Sequence, residues 1–460
     1  RMLFSYLQRY AGWYAAGVSF LLLASVFSLA IPWMVKSAIE ALQAGQRAGE
    51  LPWYVAAIFI LAAAHGLVRL GSRFTIYRAG QGIEFELRND LYGHLQTLPP
   101  AFFQAHRTGD LMSRASNDLT AVRNLIGFGA LSLISTTLAF VGTMIAMLAI
   151  DPWLALYAMA PFPLLIVLAK RFNSVIHLQS QAIQEQLGLL SAKVQENLAG
   201  AEVVRAYTME AREVTEFGRL NKELLSRGLA LARTQAGFSP LVGVISGVGT
   251  LIILWLGGKA VVDGRISLGA FVAFNGYLAH LAWPTIALGW TLTILRRGLS
   301  AMERIAEIMA VEPEIRDLAP VSPDHVEVCG TRAQATGLAV EFRNLTFAYS
   351  GRFPALRQVT LTIPAGSSVA IVGPTGSGKS TLGLLIPRLF DPPPGTVFVD
   401  GCDVRSIRLA ELRMAVGYVP QESFLFSRSL WENLALAREH VSDAEIRRAG
   451  EVAGLANEVE

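Results

Sequence analysis

Six stretches without a single Asp, Glu, Lys or Arg constrain this chain more than any other feature: Tyr10–Val35, Leu51–Val68, Asn124–Ile150, Pro152–Ala169, Thr234–Gly258 and Ile266–Leu295. Each is long enough, as helix, to cross about 30 Å of hydrocarbon. A soluble helical core needs polar outer faces, and six separate runs offer none. Only 16% of the 460 residues are charged and 52% are hydrophobic, against about a quarter charged in soluble domains. Six spans are expected at about 10–35, 51–75, 124–150, 152–172, 234–258 and 266–295, in a domain covering 1–310.

The connections set the orientation. Three are short (Lys36–Glu50, Asp151, Lys259–Arg265) and two are long and polar, 69–123 and 170–233. The first long loop holds Arg69, Arg73, Arg78, Arg88, Arg107, Arg114 and Arg123. Positive charge near span ends marks the cytoplasmic side, so the long loops and both termini are expected there. The first apolar run is too long for a signal peptide's core. Both cysteines, Cys329 and Cys402, fall in the polar C-terminal third and read as unpaired thiols of a reducing compartment. The net charge of +3 gives no nucleic-acid-binding surface, and no nucleic acid partner is expected.

The long loops carry helical periodicity, as in Leu187, Leu190, Val194, Leu198 and Ala201. At about 1.5 Å per residue, helical hairpins of this length reach roughly 40 Å into the cytosol. Pro99-Pro100 and Thr108-Gly109-Asp110 mark the first turning point. After Leu295 the chain becomes charged and enters a linker, 311–337, containing Pro313, Pro320 and Pro323. Beyond it Val340 and Phe342, then Val359, Leu361 and Ile363, alternate with polar neighbours as strands do. The fold class is therefore a membrane all-α domain, six long transmembrane helices with intracellular extensions, followed by a partial α/β P-loop NTPase domain at 338–460.

The chemistry sits in Gly373-Pro374-Thr375-Gly376-Ser377-Gly378-Lys379-Ser380, which fits G-x-x-x-x-G-K-[ST]. The apolar run Ser368–Val372 is expected as the preceding strand, and Thr381–Phe390 as the following helix, ending or bending near Pro387. Gly376 and Gly378 let backbone N–H groups close around phosphate oxygens. Lys379 is expected on the β- and γ-phosphates, the Ser380 hydroxyl on Mg²⁺, and Thr381 at the helix start beside them. A kinase or GTPase could carry the same loop.

Further segments resemble the ABC exporter family, of the type with six helices and one nucleotide-binding domain per subunit. Phe347-Ala348-Tyr349 lies where the family places an aromatic on the adenine ring, a role implied for Tyr349. Tyr418-Val419-Pro420-Gln421-Glu422 resembles its Q-loop, which implies that Gln421 touches Mg²⁺ and the attacking water. Phe424–Ser427, Glu432-Asn433-Leu434 and Gly395–Gly401 continue the pattern. Phe102–Asp118 and Val204–Phe217 are similar to the family's two intracellular loops. The resemblance implies coupling helices near Ala101–Thr108 and Thr208–Glu213, contacting nucleotide-binding domains through Phe102, Phe103, Arg107, Tyr207, Met209 and Glu210.

The family implies ATP and Mg²⁺ as cofactors and a second half-transporter subunit as partner, in a homodimer or heterodimer. Its L-S-G-G-Q signature, Walker B strand, catalytic glutamate and switch histidine do not occur before Glu460, so a longer parent protein is expected. The bacterial inner membrane is the expected location. Polar and aromatic residues in the spans (His65, Asn275, Tyr277, His280, Trp283 and Trp290) suit an amphipathic cargo if they face a cavity; packing between helices is the other reading. No span carries Asp or Glu, which argues against a cationic cargo held by a membrane carboxylate. An exporter of hydrophobic or amphipathic small molecules, a lipid or glycolipid flippase, and a nucleotide-gated channel or receptor stay open.

Overall fold

A computed structural model of the protein describes residues 2–44, 49, 51–317, 337–349, 353–421, 424–436 and 441–455, without the side chains of Leu165, Ile166, Ala169, Ser239, Val242, Ser246, Ala282, Trp283, Ile286 and Leu288. The chain divides into two units, one of Arg1–Leu98 with Ala105–Glu312, the other of Pro99–Gln104 with Pro313–Glu460.

In the first unit a short helix α1 (Met2–Arg9) precedes long rods. These begin with α2 (Ala11–Gln43) and α3 (Leu51–Thr97). Between α3 and the third rod in sequence comes the short helix α4 (Pro100–Ala105), most of which belongs to the second unit. That rod joins α5 (Thr108–Ser113), α6 (Leu119–Asn124) and α7 (Ala130–Ile150) through π-helical turns at Arg114–Asp118 and Leu125–Gly129. The fourth consists of α8 (Pro152–Met159) and α9 (Phe162–Ala199), separated by a turn at Ala160-Pro161. After α10 (Ala201–Ala206), α11 (Glu210–Ile252) continues through a π-helical turn into α12 (Gly258–Val262), and α13 (Leu268–Met309) is the sixth rod.

The tight reversals are capped by side chains. Asp151 Oδ1 accepts from the N–H groups of Trp153 and Leu154 at 2.9 and 3.0 Å, and Ser267 Oγ accepts from Ala270 N at 3.0 Å. Large apolar residues face outward along the rods, such as Phe59 (74% exposed), Leu67 (71%) and Trp255 (76%). A water-facing helix hides such side chains; helices in hydrocarbon need not. Close packing inside the unit uses small residues: a Cβ on Gly17 of α2 would stand 2.5 Å from Ile76 Cγ1 of α3.

Among the described residues, four helices are long and apolar enough to cross a membrane: Ala11–Gln43, Leu51–Thr97, Thr108–Ile150 and Glu210–Val262. The expected spans at 152–172 and 266–295 contain residues outside this count. The fourth rod is cut at Pro161, whose nitrogen has no proton for the helical ladder, and the qualifying apolar part of α13 is Leu268–Leu281.

Beyond the apolar segments, charge holds the helices together. Glu84 of α3 is buried and receives Arg88 at 2.5 Å and Arg123 of α6 at 3.1 Å. Arg304 of α13 grips Asp118 with two bonds, 2.8 and 2.5 Å, and Arg114 donates to the Arg304 carbonyl at 3.0 Å. Tyr6 donates to Asp90 at 2.5 Å, and burial followed by that bond raises its phenol well above the usual range. The α9–α11 arm is joined by Gln186 to the Leu220 carbonyl, by Arg227 to the Ala182 carbonyl, by the Lys193–Glu213 ion pair at 2.5 Å and by the Phe172 and Phe238 rings.

The second unit holds an antiparallel sheet in the order β2-β1-β3-β4, from β1 (Val340–Phe347), β2 (Leu356–Ile363), β3 (Val397–Val399) and β4 (Cys402–Asp403). A register shift between Phe342 and Leu345, with Asn344 at φ 47°, lets residues three apart both face the core. Among the described residues four further helices follow in chain order: α14 (Lys379–Leu385), α15 (Leu409–Met414), α16 (Leu430–Leu434) and α17 (Asp443–Val452). Leu382 and Leu385 of α14 join Phe342, Leu345, Val397 and Val399 in the core.

Two expectations are corrected here. Ser368–Val372 forms no strand, and Val372 is 88% exposed. A strand exists only by pairing, and no described strand pairs with this run. Cys402 is disulfide-bonded and not a free thiol; Cys329 lies outside the described residues, as does 318–336 of the expected linker.

Candidate nucleotide site

The phosphate loop is shaped by its own residues. Gly376 and Gly378 take φ of 84° and 91°, a region that L side chains rarely enter. At Gly378 a Cβ would also stand 2.6 Å from Leu356 Cδ2 and 2.8 Å from the Ala355 carbonyl oxygen, so β2 presses against the loop where it turns into α14. Lys379 opens α14 and folds back over the loop. Its Nζ donates to the carbonyls of Gly373 (2.9 Å) and Pro374 (2.8 Å) and to Ser377 Oγ (3.4 Å). A cation at the centre of a loop with two left-handed glycines is a ready anion cradle. Ser380 is exposed on the first helical turn, next to that cation, while Thr381 is buried.

Tyr349 is fixed beside the same helix. Its hydroxyl donates to Thr381 Oγ1 at 3.1 Å. Its ring meets Phe347 and Phe390 edge-on, with centroids 5.1 and 5.0 Å away. Tyr349, expected on the adenine ring, is thus held against α14 by Thr381 and by two aromatic rings. Pro374 and Thr375 are exposed on the loop. Gln421 is also exposed and makes no hydrogen bond to the loop among the described residues. In the same segment Tyr418 Cε2 stands 4.0 Å from the Cβ position of Gly383 on α14. Val419 is 91% exposed, so this run, like Ser368–Val372, has an unpaired apolar surface.

Sequence reasoning missed what holds the end of α14. Arg388 is 1% exposed at φ 50°, and its Nε donates to Asp391 Oδ1 at 2.8 Å. Arg405 approaches the other Asp391 oxygen at 3.6 Å, and Arg413 donates to the carbonyls of Pro387 and Arg388. Asp317 likewise accepts from Leu409 N at 2.8 Å, capping α15 from the linker's edge. An arginine in an apolar stretch gives no sequence signal of burial, since its partners come from separate turns.

The candidate coupling residues separate. Phe102 (buried) and Phe103 (exposed) sit on α4 in the second unit, ring to ring at 5.5 Å, and Ala101 packs against that unit's sheet core. Arg107 is exposed before α5. Tyr207 (76% exposed), half-buried Met209 and exposed Glu210 lie in the first unit, at a turn where Thr208 takes φ 53°. Of the cargo candidates, Tyr277 is committed to packing: it is buried, and its hydroxyl donates to the Leu29 carbonyl at 2.8 Å. Asn275 and His280 are exposed, and Trp290 meets Phe128 at 5.4 Å. The Trp283 side chain lies outside the described residues.

Comparison with known proteins agrees with this geometry. Residues 14–285 match the family described as ABC transporter transmembrane region, and 356–459 match ABC transporter. The chain is 30% identical over 439 residues to a probable multidrug resistance ABC transporter ATP-binding/permease protein of Bacillus subtilis (strain 168), covering 95% of this chain and 73% of that protein. It is 31% identical over 442 residues to an ATP-dependent lipid A-core flippase of Syntrophus aciditrophicus (strain SB), covering 96% and 72%. It is 28% identical over 448 residues to a multidrug resistance-like ATP-binding protein of Escherichia coli (strain K12), covering 97% and 74%. A multi-pass helical membrane region followed by an ATP-binding domain is a half-transporter arrangement, and the chain belongs to the ABC transporter family.

Proposed function

We propose that this chain is one subunit of a dimeric exporter that moves hydrophobic or amphipathic small molecules out of the cytosol or inner leaflet by alternating access, driven by ATP. The observation that carries the reading is the Lys379-centred loop with Tyr349 locked to Thr381, on a chain whose other unit presents apolar helix surface. The nucleotide supplies a phosphoanhydride whose cleavage by water releases energy. The residues that would hold it are Tyr349 at the base, the backbone of Gly373–Ser377 and Gly378 around the phosphates, and Lys379 against their charge. Ser380 and Gln421 would hold Mg²⁺. Neutralising charge that develops on phosphate oxygens is the main catalytic lever in such transfers.

A second subunit suits the α9–α11 arm, where Leu198, Val214 and Leu225 are exposed. The distribution of Arg and Lys supports a cytoplasmic side for the long polar loops and termini, and the membrane of this reading is a bacterial inner membrane. The flippase reading shares this machinery and differs in cargo. The test is ATP-dependent uptake of a fluorescent amphiphile by inside-out liposomes carrying the complete protein. Lys379→Ala should abolish uptake and ATP hydrolysis; either one persisting near the unsubstituted level defeats the proposal.

A further inference from the structure

The chain passes between its two units three times, at Leu98-Pro99, Gln104-Ala105 and Glu312-Pro313. On the first unit's side these crossings follow α3, precede α5 and follow α13. The three elements are bonded pairwise. His94 Nε2 of α3 donates to the Ile308 carbonyl of α13 at 3.0 Å. Glu84 of α3 takes Arg123 of α6 at 3.1 Å. Arg114, held by Asp110 of α5 at 3.0 Å, reaches Glu307 of α13 at 3.3 Å and donates to the Arg304 carbonyl. Asp118 is buried and accepts both bonds from Arg304. A triangle closed in this way cannot shear without breaking a charge-assisted bond or the His94 bond.

The corner on the third rod is built on a π-helical turn. Arg114 opens the turn, Asp118 closes it, and both bond α13. Such turns are rare and concentrate at functional sites. The extra residue sets α5 about 100° round from where an ordinary helix would carry it. The second π-helical turn, Leu125–Gly129, meets α13 as well: Gly298 leaves no room for a Cβ against Leu125, and a Cβ on Gly129 would stand 3.3 Å from Ile294 Cγ2. Ser132 and Thr291, both buried, then share a hydrogen bond of 2.7 Å. Asp118–Arg304, Leu125–Gly298, Gly129–Ile294 and Ser132–Thr291 thus form one antiparallel register between the third rod and α13. A slip at the arginine would have to be repeated at each contact up to the spans, and close-packed surfaces resist that.

We propose that Arg304 is a positioning residue for energy transmission: clamped on Asp118 and Arg114, it makes α3, the third rod and α13 move as one block. Displacement that enters at any one of the three chain crossings then reaches the spans through all three helices together. The proposal rests on the exporter reading and adds which residues carry motion from nucleotide to membrane. Removing the arginine leaves a buried carboxylate without its partner and frees the π-helical turn from α13, while the phosphate loop keeps every residue assigned to it.

The test uses the complete protein with nitroxide labels on non-natural residues at Met112 of α5 and Leu299 of α13, both exposed. Their separation is read by pulsed electron spin resonance with and without ATP. One block predicts a single narrow separation, the same in both states. Arg304→Gln should broaden it, and Arg304→Lys should keep it narrow because an ammonium still pairs with Asp118. In liposomes Arg304→Gln should lower uptake per ATP hydrolysed by about fivefold or more, the lower end of typical coupling between sites, and Arg304→Lys should hold the ratio. Arg304→Gln combined with Asp118→Asn should lose no more than Arg304→Gln alone, as residues acting through one bond do; additive losses overturn the clamp. A separation that changes with ATP in the unsubstituted protein overturns the block, as does one that stays narrow in Arg304→Gln. Equal loss of uptake and hydrolysis also overturns the inference, because the arginine then only supports the fold. Labels that behave as expected in a protein moving no amphiphile sink only the exporter reading. Coupled uptake that Arg304→Gln leaves at its full ratio sinks only this inference.

Discussion

Replacing either left-handed glycine of the phosphate loop by alanine separates backbone strain from steric exclusion. Both positions cost the left-handed penalty, about 1–2 kcal/mol for an L residue. At Gly376 that is the whole cost, because nothing lies within 4 Å of the added Cβ. At Gly378 the Cβ would lie 2.8 Å from the Ala355 carbonyl oxygen and 2.6 Å from Leu356 Cδ2. A leucine methyl can swing away; a backbone oxygen inside a sheet strand's approach cannot do so cheaply. Overpacking of this kind adds about 1–3 kcal/mol. Gly376→Ala should thus lose about 5- to 30-fold and Gly378→Ala about 30- to several thousand-fold. Strain appears as lowered stability if the loop holds its shape, and as lowered nucleotide affinity if the loop relaxes and must be forced back. The assay therefore sums both losses, from denaturant unfolding and from equilibrium binding of a fluorescent ATP analogue to the complete protein. Gly378→Ala costing no more than Gly376→Ala would refute the role given to the β2 contact.

Other outcomes follow from the same packing. Arg388→Leu leaves Asp391 with only the more distant Arg405, and should lower the stability of the second unit by about 3–5 kcal/mol, read by denaturant unfolding; a loss under about 1 kcal/mol would show the pair to be dispensable. Glu86 accepts first from Arg9 and then from Tyr10, and these bonds hold its carboxyl below the usual range. A depressed carboxylate stabilises fully above its unfolded pKa, about 4.3, and the gain disappears as pH falls through the lowered folded value. A spin label at Ser5 on α1 should therefore become mobile only below about pH 4.3, and Glu86→Gln should abolish that pH dependence; unchanged mobility at low pH would remove Glu86 as the tether.

Much of this was legible in the residues because it depends on local composition. Charge-free runs announce helices in hydrocarbon, and G-x-x-x-x-G-K-S announces a loop that needs glycine at Gly376 and Gly378. Tyr349 was singled out only through family resemblance, and its bond to Thr381 is announced by no residue pattern. What failed was non-local. Ser368–Val372 has the pattern of a strand, but pairing depends on a neighbour that the run cannot specify. In the Arg388–Asp391–Arg405 network the first two residues are close in sequence, but the burial of Arg388 depends on the later turn that brings Arg405 and the Val404 carbonyl to it. The fourth span reads as continuous by hydropathy, whereas Pro161 divides it, since a missing proton weighs nothing on a hydropathy scale.

That division gives the fourth rod a mechanical character its neighbours lack. Pro161 and Pro163 offer no protons to the carbonyls four residues back, Tyr157 and Met159, and Ala160 N instead reaches Tyr157 O at 3.2 Å. Bending an intact helix strains ladder bonds on its convex side, but here two of them do not exist. The joint is thus the soft point of a stiff lever: α9 can change inclination while α8 stays anchored by Asp151, and flexure concentrates at Ala160-Pro161 before any other turn of that helix yields.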